Sequence, residues 1–395
     1  MINENDADRI IKTVRSEMNL FADDDESKIR ELIAMTVLRE TKEGAISLKE
    51  REELCKTVFD AIRRLDILQE LVEDESVSEI MVNGYDKIYV ERNGVVSLWD
   101  KSFMNSRKLD DVIQQIVSVC NRSVNESRPI ADARLPDGSR VNVVLSPPSV
   151  NGSILTVRKF PKEIINLSQM VAFKTLSEEA SLFLEKLVVK GYNIFVSGGT
   201  SSGKTTMLNA LSVCIPPTER VITIEDSAEL KLTSIDNLVR LETRDSNASG
   251  CEPITIRDLI KTSLRMRPDR IIVGEVRGSE VVDMLQAFNT GHEGSMSTGH
   301  ANSCADMLTR MEAMYLQAME IPTEAIRRQI ASGIDIMIHL ERRRDGKRRV
   351  TEIKELLGVE NKSIKLHTLF EEEKVGEELV LVKKDQLVNT FKMEK

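Results

Sequence analysis

The sequence predicts an α/β protein: a C-terminal domain with a parallel-core sheet, preceded by a smaller α+β domain and an N-terminal helical segment. Three observations carry this expectation. From about residue 175, short apolar runs alternate with amphipathic stretches, the pattern of a parallel sheet covered by helices. From about residue 61 to 160, shorter apolar runs are punctuated by Asn-Gly pairs, which signal hairpins. At 395 residues the chain is also too long for one ordinary core.

The elements follow in order. Residues 1–60 read as helical and acidic, with Ile29, Leu32, Ile33 and Val37 at helical spacing. They carry no catalytic pattern, and a docking or oligomer-contact element is the expected role. Within 61–160, Ile80-Met81-Val82 runs into Asn83-Gly84, Ile88-Tyr89-Val90 runs into Asn93-Gly94, and Val95-Val96 follows. A helix is expected from Leu109 to Cys120, a tight turn at Pro136-Asp137-Gly138, a strand from Val141 to Leu145 and a last strand from Ile154 to Arg158. Residues 161–174 read as a linker and 175–395 as the α/β domain. No solenoid repeat or low-complexity segment appears.

Composition excludes several classes. With 41% hydrophobic and 30% charged residues the chain is neither disordered nor fibrous. A net charge of -9 argues against a surface wholly given to nucleic acid. No run approaches the apolar length of a membrane span, and the start MINENDADRI lacks the basic and apolar regions of a signal peptide, so a cytosolic protein is expected. The cysteines (Cys55, Cys120, Cys214, Cys251, Cys304) form no C-x-x-C pair and read as reduced structural thiols.

The most informative stretch is Gly198-Gly199-Thr200-Ser201-Ser202-Gly203-Lys204-Thr205, a full G-x-x-x-x-G-K-[ST] match, followed by Thr206. Polyphosphate is densely charged and well hydrated, so a site must replace that hydration with many donors. Glycines permit a loop whose N–H groups turn inward, and the helix that follows adds its positive end. Lys204 suits the β- and γ-phosphates, and the Thr205 hydroxyl suits Mg²⁺. The motif stands in its required context, after the apolar run Asn193 to Ser197 and before the helix-forming Thr206 to Leu211. ATP is the expected ligand.

Hydrolysis needs acids to orient water and support the metal. Val221 to Ile224 runs into Glu225-Asp226, with Glu229 just beyond, and Arg270 to Val273 runs into Gly274-Glu275. Ligands of open α/β sheets sit beyond the carboxyl ends of strands, where these acids fall. Arg240 and Arg244 suit either charge on a transferring phosphoryl group or surface ion pairs. His292 and His300 share a stretch rich in Gly, Ser and Thr, where a neutral imidazole suits phosphate sensing. A metal site from His292, His300 and Cys304 lacks a fourth ligand and any familiar zinc spacing.

The ordered blocks SGGTSSGKTT, TIEDSAEL, RMRPDRIIVGEVRG and NTGHEGSMSTGHANS resemble the secretion traffic ATPases of type II and type IV systems, over about residues 60 to 370. In that family they correspond to the Walker A loop, Asp box, Walker B segment and His box. The tight-adherence (Flp-type) pilus assembly branch is the best resemblance. The resemblance implies a RecA-like P-loop domain, a homohexameric ring acting with an integral inner-membrane platform protein, and a position peripheral to the inner face of the membrane. It assigns Glu275 to Walker B, supporting Mg²⁺ through water. It places Glu229 ahead of Glu225 as the water-orienting acid, makes His292 and His300 the His-box pair, and implies that Arg134 and Arg140 of RPIADARLPDGSRVN reach phosphate. Walker B ends in Gly274-Glu275 rather than apolar-Asp, so Asp269 is not taken as the metal acid. The four-cysteine zinc module of the type II export branch is absent.

Two other readings stay open. Arg342, Arg343, Arg344, Lys347, Arg348 and Arg349 surround an Asp-Gly turn and suit a nucleic-acid translocase or conjugation-type motor, or else a solvated hairpin tip; the tip is preferred and no nucleic acid is expected. A non-hydrolysing nucleotide switch is the third reading, against which Glu225, Glu229 and Glu275 argue.

Overall fold

The computed structural model describes residues 4–18, 26–41, 46–92, 94–120, 123–160, 164–244, 252–376 and 378–394. Cys251 and Asn93, which figure in the sequence reading, lie outside them. The chain divides into two compact units, Met1–Pro161 and Lys162–Lys395.

The first unit opens with α1 (Glu4–Met18), α2 (Glu26–Glu40) and α3 (Leu48–Arg63). Their apolar stripes close on one another through Ile10, Val14, Ile33, Val37, Leu54 and Val58. A reciprocal capping box between Ser47 and Glu50 starts α3. After α4 (Gln69–Glu73) come β1 (Val77–Asn83), β2 (Ile88–Arg92), β3 (Val95–Leu98), α5 (Ser106–Val119), β4 (Ile130–Arg134), β5 (Arg140–Val144) and β6 (Ile154–Arg158). The strands form one antiparallel sheet in the order β3-β2-β1-β6-β5-β4. Leu109, Ile113, Ile116 and Val117 of α5 share its core with Ile80, Val82, Val141 and Val143. The helix begins three residues before Leu109 because Asn105 caps its polar first turn, which no apolar period betrays.

The second unit starts within the stretch expected to be a linker. α6 (Leu167–Ala172) carries a capping box between Asn166 and Gln169, and it buries Leu167 and Met170 in this unit's core. The apolar spacing of that short stretch makes it an element rather than a tether. There follow α7 (Glu178–Val189), β7 (Ile194–Gly198), α8 (Lys204–Ser212), β8 (Val221–Glu225), β9 (Leu238–Glu242), α9 (Ile256–Ser263), β10 (Arg270–Val273), α10 (Val281–Phe288) and β11 (Met296–His300). The chain continues through α11 (Cys304–Ala318), α12 (Thr323–Gly333), β12 (Ile336–Arg342), β13 (Arg348–Glu360), β14 (Ser363–Val375) and β15 (Glu378–Lys383).

These strands make one sheet in the order β15-β14-β13-β12-β7-β11-β10-β8-β9. It is parallel from β12 to β9 and antiparallel from β15 to β12. Alternate residues of β7 enter separate cores: Ile194 and Val196 pack with α7 and α8, while Phe195 packs with α9 to α12. Both faces are covered, and so β7, β8 and β10 read as continuous apolar runs. Cys55, Cys120, Cys214 and Cys304 are free thiols. Among the described residues no helix is long and apolar enough to cross a membrane.

Candidate active site

The carboxyl ends of five parallel strands converge on one edge of the sheet. His300 of β11 and Leu340 of β12 both stand level with Gly198, the last residue of β7, and Val273 stands level with Ile224. The loop from Gly199 to Gly203 leaves this edge and turns into α8. Gly203 takes φ +99°, a left-handed conformation that a Cβ would strain, and Ser201 adopts φ +57° beside it. Thr205 and Thr206 lie in the first turn of α8, both half-buried.

Lys204 is buried, and its ammonium folds into the loop. It donates to the carbonyls of Gly198 (3.1 Å) and Gly199 (2.8 Å). It also lies 3.2 Å from His300 Nδ1. An ammonium has only donors, so Nδ1 accepts and Nε2 carries the ring proton. Nε2 lies 2.9 Å from Glu275 Oε1. Burial holds the His300 pKa below the usual histidine range despite the pull of Glu275, with Lys204 adding to the depression. The ring is therefore neutral near pH 7, and it connects the lysine of the loop to the acid after β10.

Glu275 Oε2 accepts from Arg277 at 2.8 Å, while Oε1 faces the protonated Nε2 of His300. Arg277 also lies 3.8 Å from Asp226, and its own pKa is raised, first by the bond to Glu275. One exposed guanidinium thus ties together the two acidic segments.

The two Asp-box glutamates occupy different environments. Glu225 is only 3% exposed, and its Oε1 accepts the N–H groups of Glu229 and Leu230, both at 2.9 Å. Its Oε2 is buried without a hydrogen bond. Burial pushes its pKa up to about 7, against the pull of those two N–H groups and of Arg240. Glu229 is half-buried on the loop that Glu225 holds. The Gly274-Glu275 sequence now has a physical reason: a Cβ at Gly274 would lie 2.9 Å from Glu225 Cγ.

Other candidates fall elsewhere. The guanidinium of Arg240 donates to the carbonyls of Ala228 (3.3 Å) and Leu230 (3.0 Å), bracing the loop that carries Glu229. That of Arg244 donates to Glu252 O, and its backbone pairs with Ile254. Both arginines thus serve backbone carbonyls of their own loops. His292 is not brought to the phosphate loop. Its Nδ1 lies 3.0 Å from Ala287 O at the carboxyl end of α10, and the whole of β11 separates it from His300. At ~3.3 Å per residue, that strand alone spans about 13 Å. Asp269 precedes β10, at the opposite end from Glu275, and accepts from the Arg220 N–H. In the first unit, Arg134 and Arg140 face each other across the β4–β5 hairpin; Arg134 Nε donates to Gly138 O, and Arg140 lies over the Phe160 ring.

The basic hairpin between β12 and β13 is largely engaged by its own unit. Arg343 pairs with Glu341 and Glu372, Arg349 donates to Lys174 O and Leu379 O, and Lys347 lies 3.7 Å from Asp345. Arg348 Nε donates to Ser201 O in the phosphate loop at 3.1 Å. Sequence reasoning missed Arg277, and it placed Arg348 only within the basic turn, not at the phosphate loop. Arg277 is two residues from Glu275 and could have been noticed; the contact of Arg348 spans 147 positions and leaves no local signal.

This fold and loop define a RecA-like P-loop domain whose strand ends gather a lysine, a histidine and carboxylates. The chain belongs to the type II/IV secretion system protein family, whose model matches residues 63–374. It is 32% identical to a putative conjugal transfer protein of Mycobacterium tuberculosis (strain H37Rv), over 73% of this chain and 83% of that protein. It is 39% identical, over 62% of its length, to an uncharacterized protein of Methanocaldococcus jannaschii, of which it spans only 35%. Among solved structures, the pilus retraction motor PilT with bound ADP matches with a TM-score of 0.54 and 20% identity, covering 84% of this chain and 85% of that one. That match supports the fold.

Proposed function

We propose that the protein is an ATPase that drives a type II/IV-related secretion or pilus assembly machine. The carrying observation is the chain Lys204–His300–Glu275 at the phosphate loop, beside the loop that Glu225 holds and that bears Glu229.

When ATP enters, Lys204 exchanges the carbonyls of Gly198 and Gly199 for phosphate oxygens, and the loop N–H groups and the first turn of α8 supply further donors. The oxygen donors of Thr205 and Glu275 fit a hard cation. They would hold Mg²⁺, Glu275 through water, and the bound ion would neutralise phosphate charge. Glu229 orients the attacking water. Glu225 positions that loop, since its Oε1 is already committed to two N–H groups and its Oε2 is buried. His300 senses whether Lys204 is engaged, because leaving the ring frees Nδ1 and loosens the hold on Glu275.

The same reading makes the working form a homohexameric ring with cyclic symmetry, docked on an integral membrane platform protein at the inner face of the membrane. The tight-adherence pilus branch is the preferred assignment. A nucleic-acid motor is disfavoured by the internal engagement of the basic hairpin.

Steady-state ATPase activity of wild type, Lys204→Ala and Glu229→Gln tests the proposal, with ATP binding followed in parallel. Wild type should turn over, Lys204→Ala should lose binding, and Glu229→Gln should bind but lose at least ~100-fold in turnover. A wild type that binds ATP without hydrolysing it, alone or with membranes carrying the platform, would sink the motor reading.

A further inference from the structure

We propose that Arg348 is a positioning residue for ATP binding: from the β12–β13 hairpin it pins the Ser201–Ser202 peptide so that the phosphate loop keeps its donors turned inward. The inference rests on the ATPase reading above but concerns a residue that no motif assigns.

The geometry starts with the peptide unit. In a trans peptide the C=O of one residue and the N–H of the next point in opposite directions. Arg348 Nε holds Ser201 O from outside at 3.1 Å. The N–H on the other side of that peptide, from Ser202, is directed to Gly199 O at 3.4 Å. Gly199 O also accepts from the Lys204 ammonium at 2.8 Å. Thus the inner side of the peptide faces the interior where Lys204 sits, and the outer side is tethered to the hairpin. Ser201 adopts φ +57°, unusual for a residue with a side chain, so the turn needs support from its surroundings. The arginine stem also packs closely: a Cβ at Gly203 would lie 3.3 Å from Arg348 Cδ.

The hairpin is built to hold this position. Leu340 of β12 pairs with Gly198, and Ser197 Oγ lies 2.8 Å from His339 Nδ1 just below the loop. Beyond them, Gly346 takes φ +80° in the turn, and Arg343 is fastened to Glu341 and to Glu372 of β14. Arg348 is where a charged side chain of this framework reaches the loop of the nucleotide site. A free loop would have to select the cradle conformation from others on binding ATP, which reduces apparent affinity by the fraction competent.

The test uses Arg348→Met and Arg348→Lys in the full chain. Met keeps an apolar stem of similar reach against Gly203 but has no donor; Lys restores one. Two readouts are taken: ATP affinity by direct titration, with Lys204→Ala as the control, and hydrogen exchange of the Ser202 and Gly203 amides without nucleotide. Arg348→Met should weaken ATP binding about 5–10-fold, the scale of one hydrogen bond, with kcat at saturation within about twofold. It should also speed exchange of those amides, while peptides from β7 and β10 exchange as in wild type. Arg348→Lys should recover most of the affinity. If wild type binds ATP, Lys204→Ala does not, and Arg348→Met matches wild type in both readouts, the positioning role is overturned while the ATPase reading stands. If wild type fails to bind ATP, that reading falls, and the exchange arm still decides whether Arg348 holds the loop.

Discussion

On the proposed assignment Glu225 positions the loop and Glu229 orients water, and Glu225→Gln is the change that separates the two roles. The Glu225 pKa rises from the ordinary 4.5 to about 7 on folding, chiefly through burial. A carboxyl with a raised folded pKa binds its proton more tightly in the native state. The stability that this carboxyl contributes is therefore greatest below pH 4.5 and is lost as pH rises from there to about 7. Between pH 5 and pH 8 the linkage removes about 2.5 kcal/mol from the native state. Glu225→Gln cannot ionise, so that pH-dependent loss should vanish; its carbonyl can still accept from Glu229 and Leu230, although its NH₂ then lies where Oε2 is buried without a partner. The only tryptophan, Trp99, belongs to the first unit, so fluorescence is a poor probe here. Hydrogen exchange of β8 amides, corrected for intrinsic rates, reads the right region. Wild type should become less protected from pH 5 to pH 8, and the variant should not. Turnover of the variant at pH 8 should stay within about tenfold of wild type, because the loop remains held. Equal pH dependence in both proteins would refute the buried-carboxylate argument. A hundredfold loss of kcat with intact ATP affinity would transfer the water-orienting role from Glu229 to Glu225.

Two further outcomes follow from the geometry. His300→Ala breaks the link between Lys204 and Glu275 and should cost at least ~10-fold in kcat, whereas His292→Ala should keep turnover within about threefold and lose about 1 kcal/mol through the end of α10; equal loss in both would restore the pair as one catalytic unit. Gly274→Ala drives a Cβ to 2.9 Å from Glu225 Cγ, and thermal unfolding should report a cost of about 1–3 kcal/mol together with reduced turnover; a variant as stable and active as wild type would show that the strand ends have slack.

Much of this molecule could be read from the chain because its decisive features are local. The phosphate loop needs a strand, a glycine-bearing turn and a helix in immediate succession, so Asn193 to Leu211 declare themselves. β7, β8 and β10, buried on both faces, appear as unbroken apolar runs for the same reason. Two local signals misled. α6 was hidden in a stretch that resembled a tether, and β11 is a buried strand of Met, Ser, Thr, Gly and His, with neither alternation nor an apolar run. Because β11 leaves no local signal, the separation of His292 from His300 by a whole strand was not legible.

What the sequence by itself determined is the inventory: a phosphate loop, acids after two strands, a histidine stretch and the family. Tertiary structure decided which of these meet. Lys204 and His300 are 96 positions apart and Ser201 and Arg348 are 147 apart, and only the pairing of β7 with β11 and β12 brings them together. The different environments of Glu225 and Glu229 were likewise not legible from two glutamates four residues apart. Burial under Gly274 commits one to backbone N–H groups, while the other is left half-buried on the loop.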